Sequence, residues 1–191
     1  MQAIPEGGIM KRYYPVTAAA LLFAALMLAA ISLSQPKVAQ AAGYEARKCG
    51  GGSVSLNAAE YRTFQLHNQV RKNNGLSKLC VHPRLVKAAR GHSRDMIDRG
   101  YFSHTTQGTG QNAGQRITAA GYPWRTYGEN IGYNSTPEAM HNAWMNSSGH
   151  RTNILNRNFK EVGIGAVTGQ YPSSRGGTFE TTMYTVNFGA R

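Results

Sequence analysis

The stretch that decides the fold reads FSH at residues 102–104, YGEN at 127–130, WMNSSGHR at 144–151 and EVGIG at 161–165. In the first three of these pieces two histidines and one glutamate, His104, His150 and Glu129, stand among glycines, serines and asparagines, at breaks between helical segments. Imidazole and carboxylate are the side chains that bind transition metals or move protons near neutral pH. On loops held by a rigid frame they are better function candidates than on a packed helix face. The glycine-bounded EVGIGAV that follows has the alternation of a strand.

Working outward, the chain expects four helices before that strand. Ser55 is a good N-cap for a helix to about Asn73, with Leu56, Ala59, Phe64, Leu66 and Val70 as its apolar stripe. Asn74-Gly75 stops it. Pro83 fits the first turn of a second helix over residues 83–99, with Leu85, Val86, Ala89, Met96 and Ile97 inward, closed by Gly100. A short helix is expected near residues 112–120, and another runs from Pro137 toward Trp144. After Phe159 the apolar period changes to two: Val162, Ile164 and Ala166 alternate, and residues 178–188 read as a longer strand. The pattern is α+β: a small antiparallel sheet covered by helices.

The N-terminal part bears on compartment. Lys11 and Arg12 precede an apolar run from about Val16 to Leu33, and Ala39-Gln40-Ala41 then offers a small-x-small cleavage pattern. This is the order of a secretory signal. Its length also suits an uncleaved anchor. Residues 1–41 are therefore read as signal peptide or anchor, 42–54 as a Gly-rich arm, and 55–191 as one exported domain, secreted or associated with the cell envelope. Outside the cytoplasm the even pair Cys49 and Cys80 suggests one disulfide, two free thiols being the alternative.

The formal net charge is +12, and removing the first 41 residues leaves about +10. Such a domain is drawn to anionic material, here an anionic cell-envelope polymer, unless the charge serves solubility alone. No nucleic-acid-binding fingerprint accompanies it, so nucleic acid is set aside as a partner.

At this point the residues resemble a family. His67-Asn68-x-x-Arg71, Phe102-Ser103-His104, Gly128-Glu129-Asn130, Trp144 with Gly149-His150-Arg151, Asn153-Ile154-Leu155, Val162-Gly163-Ile164-Gly165 and Asn187-Phe188-Gly189 occur in the order of the CAP superfamily (cysteine-rich secretory, antigen 5 and pathogenesis-related proteins, or SCP-like extracellular domains), most like its compact bacterial branch. The resemblance implies an α-β-α sandwich with a solvent-facing cavity lined by two histidines and two glutamates. His104, Glu129 and His150 match three of these. Where the second glutamate falls, the third residue after Trp144, this chain has Ser147.

His104, Glu129, His150 and Ser147 are thus the expected ligand-binding residues, and His104, His150 and Glu129 the expected metal ligands, zinc being the candidate ion. Glu129 could instead accept a ring N–H of a histidine that holds the metal. His67 is expected to lock its helix to a neighbouring loop, His92 to lie on the surface, and Trp144 to lie in the core. Tyr127 and Asn130 flank Glu129 and are expected to orient it. The leading function is a binding module for a small or lipid-like ligand, a divalent metal or an envelope component. A metal-dependent or acid–base hydrolase of peptide or glycan, and a purely structural domain, are the alternatives. A glycosidase needs two carboxylates about the scissile bond, and only Glu129 is placed for that. No G-x-S-x-G surrounds Ser147 or Ser148.

Overall fold

A computed structural model describes residues 43–191; the expected signal or anchor lies outside the described residues. The stretch expected as a Gly-rich arm, residues 42–54, together with Ser55 and Leu56 expected at the start of the first helix, contains a hairpin of β1 (Tyr44–Arg47) and β2 (Ser53–Leu56), antiparallel with Tyr44 opposite Leu56. Because Ser55 is taken into β2, the helix α1 (Ala58–Asn73) starts later than expected, at Asn57. The Asn57 side chain accepts from the Glu60 amide and Glu60 accepts from the Asn57 amide, both at 2.9 Å, a reciprocal cap that satisfies two orphan donors.

There follow β3 (Cys80–Val81), α2 (Pro83–Arg99), α3 (Ala113–Ala119), β4 (Thr126–Asn134), α4 (Pro137–Asn146), α5 (Ser148–Leu155), β5 (Glu161–Pro172) and β6 (Thr178–Ala190). The sheet order is β3-β5-β6-β4. β3 runs parallel to β5, and the other pairs are antiparallel. β4, with Glu129 inside it, is a strand where the sequence reading had a loop.

The pleat separates the two faces. Val162, Ile164 and Ala166 of β5 lie opposite Phe188, Val186 and Tyr184 of β6, and this face is buried with Trp144, Met140 and Ile154 of α4 and α5 and with Phe64 and Val70 of α1. The other face receives α2. A Cβ on Gly163 would lie 2.0 Å from the Leu85 backbone carbon, and one on Gly165 would lie 2.3 Å from the Arg90 nitrogen. The two glycines are what lets α2 rest against the strand. Helices therefore cover both faces, and the chain is an α-β-α sandwich.

Arg71, fully buried, donates to the carbonyls of Ser77, Ile154, Asn156 and Phe159. It satisfies the orphan acceptors at the end of α5. Asn68 exchanges two hydrogen bonds with the Leu79 backbone. The His-Asn-x-x-Arg motif is thus a structural clamp. Cys49 and Cys80 are bonded, which ties the hairpin to β3. Among the described residues no helix is long and apolar enough to cross a membrane.

Candidate functional site

The site is built on β4, which lies at one edge of the sheet. Successive residues of a strand point to opposite faces. Glu129 and Asn130 use this to hold two histidines from different parts of the chain.

Glu129 lies on the α2–α3 face. Its Oε1 is 2.9 Å from Nδ1 of His104, in the loop after α2. Nη2 of Arg116, on α3, donates to both carboxylate oxygens at 2.9 and 2.7 Å. Asn187, opposite Glu129 on β6, adds a third donor and a fourth hydrogen bond: with its amide nitrogen turned to the carboxylate it lies 3.0 Å from Oε2. The network sets that amide orientation. The Glu129 side chain is 3 % exposed and that of His104 is 56 % exposed. A buried, four-fold hydrogen-bonded carboxylate therefore holds an exposed imidazole by one nitrogen.

Asn130 lies on the opposite face and donates to the His150 carbonyl at 3.1 Å. Asn153 donates in turn to Asn130 Oδ1 and to the Glu129 carbonyl. His150 sits in the first turns of α5, not in a loop, and its Nδ1 is 2.8 Å from the Ser147 hydroxyl. Burial, and next the charge that His104 would carry, hold the His150 imidazole below its ordinary pKa. Both causes favour the neutral imidazole, the form that ligates metals. In both histidines Nδ1 is engaged, and neither Nε2 has a hydrogen-bond partner among the described residues.

His104 and Glu129 meet directly, as do His150 and Ser147. The only three His, Cys, Asp or Glu side chains among the described residues whose ligand atoms gather within 4.8 Å are Cys49, Cys80 and Glu161. That group holds no ion, since its sulfurs are bonded to each other. His104, Glu129 and His150 do not close up to that spacing. Glu129 stands behind His104, where an orienting carboxylate stands in metal sites.

His92, expected on the surface, is buried at 1 % exposure, with Nε2 2.9 Å from the Ser103 carbonyl. It holds the loop that carries His104. Arg116 also grips this loop, donating to the carbonyls of His104 and Gln111. Arg116 was not legible as a site residue: one arginine on a short helix carries no mark of its partner. Asn153 and Asn187 were legible only as motif positions. Tyr127 packs on Gly114 and Trp124 rather than orienting Glu129.

Comparison with known proteins agrees with this architecture. Residues 64–188 match the family model described as CAP, cysteine-rich secretory protein family. The uncharacterized protein YkwD of Bacillus subtilis is 41% identical over 114 residues, 59% of this chain and 44% of that protein. The uncharacterized membrane protein YlbC of the same organism is 35% identical over 109 residues, 56% of this chain and 31% of that protein. The chain thus spans less than half the length of these curated relatives.

Among solved structures, an extracellular protein containing a SCP domain from Bacillus anthracis superposes with a TM-score of 0.59 at 31% identity, covering 70% of this chain and 40% of that one. An outer surface protein of Borrelia burgdorferi shares the fold, with a TM-score of 0.58 at 18% identity over 78% of this chain and 98% of that one. The chain belongs to the cysteine-rich secretory protein (CAP) family.

Proposed function

We propose that this chain is the binding module of an exported protein, and that its site takes a divalent cation such as zinc between Nε2 of His104 and Nε2 of His150. The observation that carries this reading is the pair of Nδ1 contacts, to buried Glu129 and to Ser147, which orient each ring and leave the other nitrogen for a ligand. Two imidazoles are a sparse ligand set, so solvent or a small ligand completes the coordination. The bound ion would supply a positive charge and open positions at an exposed site. Glu129, already satisfied by Arg116, His104 and Asn187, is poorly placed to serve as a base, which favours binding over hydrolysis.

Export rests on the charge, apolar run and small-residue order of residues 11–41. The similar Bacillus anthracis protein is extracellular. The basic surface then draws the module to anionic material outside the cell.

Calorimetry of the full chain with zinc tests the site. Saturable binding is expected, lost in H104A/H150A with the circular dichroism spectrum kept. Unchanged binding by that variant would remove the reading. Cleavage of casein or peptidoglycan that disappears in Glu129→Gln would replace it with hydrolysis.

A further inference from the structure

A second concavity, with no histidine in its lining, lies where the disulfide joins the hairpin to β3. A groove of about 780 Å³ opens there between the β1–β2 turn, one face of α1 and residues 78–80. Its volume is in the range of ligand pockets. Arg47, Lys48, Arg62 and Lys78 line it, and no carboxylate does. Phe64 and Leu79 contribute apolar lining. Arg62 shares its charge with Glu138 at 2.6 Å, both about half exposed. Arg47, Lys48 and Lys78 make no ion pair among the described residues. Glu161, the carboxylate nearest the disulfide, is turned to Arg191 and Tyr122 and is absent from the groove.

The covalent geometry makes this arrangement more than a scatter of surface charge. Lys48 precedes Cys49 and Lys78 lies two residues before Cys80, and the bond sets the two cysteine Cα atoms 5.1 Å apart. Cations are therefore concentrated in one concavity by a cross-link, at a cost in mutual repulsion that an anionic ligand relieves. Residues 47–50 and Arg62 lie outside the stretch matched by the family model, and Lys78, Leu79 and Cys80 lie within it.

We propose that this groove is the chain's binding site for an anionic polymer, one bearing repeated phosphate or carboxylate groups along a flexible backbone. Guanidinium and ammonium groups recognise both anions by charge-assisted hydrogen bonds. The proposal rests on the reading that the exported module meets anionic material, and it says where. It is independent of metal binding at His104 and His150.

The test uses the full chain and two fluorescent probes, a short polyphosphate and a short polyglutamate, titrated at several salt concentrations. Two variants remove the same charge. R47Q/K48Q/K78Q strips the groove, and R94Q/R157Q/R175Q strips exposed arginines elsewhere. The groove variant is expected to bind at least one probe more than about tenfold more weakly, with a smaller salt dependence, roughly one unit of slope per cation removed. The control variant should stay near wild type, and the probe that responds identifies the anionic group. An equal loss in both variants would overturn the groove while leaving an anionic partner held by diffuse charge. Failure of the wild-type chain to bind either polymer would overturn both readings. All substituted side chains are on exposed or half-exposed positions, and a thermal melt verifies that each variant is folded.

Discussion

Arg116 and Glu129 form a buried ion pair in which Nη2 of the arginine bridges both carboxylate oxygens, with the two side chains 8 % and 3 % exposed. The pair joins α3 to the edge strand and sets the carboxylate against which His104 rests. Removing the arginine leaves the Glu129 charge buried with only His104 and Asn187 beside it, and breaking such a buried pair costs about 3–5 kcal/mol. Arg116→Met should lower stability by about that much in urea titrations. R116M/E129L should recover much of the loss, because both charges then leave the interior together.

The contact of α2 with the sheet gives a second pair of outcomes. A Cβ on Gly163 meets backbone atoms of Leu85 and Val86 at 2.0 and 2.2 Å, which no side-chain rotation relieves. Gly163→Ala should destabilise by about 1–3 kcal/mol or more. Gly149, in the first turn of α5, has nothing within 4 Å of its added Cβ. Gly149→Ala should stabilise by about 0.4–1 kcal/mol by restricting the unfolded chain. Thermal melts of the two variants should move in opposite directions.

The strand that holds Gly163 also shows what could be read from the chain. Val-Gly-Ile-Gly announced a strand because its apolar residues alternate, and Pro83 and Gly100 bracketed α2 because proline suits a helix start and glycine a left-handed end. The Cys49–Cys80 bond followed from compartment and an even count. β4 was illegible for a physical reason. Its Gly128, Glu129, Asn130 and Gly132 look like a loop, yet the glycines make room for Phe159 and Met140, and the polar pair holds the histidines. The burial of His92, Glu60 and Arg116 was illegible because their partners, Ser103, Arg90 and Glu129, are 11 to 30 residues away and no local pattern names them.

His67 makes folding sensitive to acid. It is buried, its Nδ1 is 3.2 Å from that of His141, and burial, then His141 and Arg71, push its pKa from 6.5 down to about 3. The unfolded chain takes up a proton on this ring below its ordinary pKa, while the folded chain does so only near the lowered one. Stability is therefore complete above about pH 6.5 and falls as pH drops from there toward about 3, at up to about 1.4 kcal/mol per pH unit for this group. Urea titrations at pH 7 and pH 5 should show the decline, and His67→Phe should make it shallower.

The Cys49–Cys80 bond closes a loop with a sequence separation of 31. On the chain-entropy model it stabilises the fold by about 3–4 kcal/mol. C49S/C80S should lose roughly this in equilibrium unfolding. Thiol titration of the native wild-type chain should find no free group.

The role given to His104 and His150 is tested most directly by nitrogen-15 NMR of the histidine rings as zinc is added to the full chain. The account predicts that both Nε2 resonances move on zinc binding, while both Nδ1 nitrogens keep the signature of their contacts with Glu129 and Ser147. Zinc binding that leaves these two rings unmoved, or that shifts Nδ1 in place of Nε2, would contradict it.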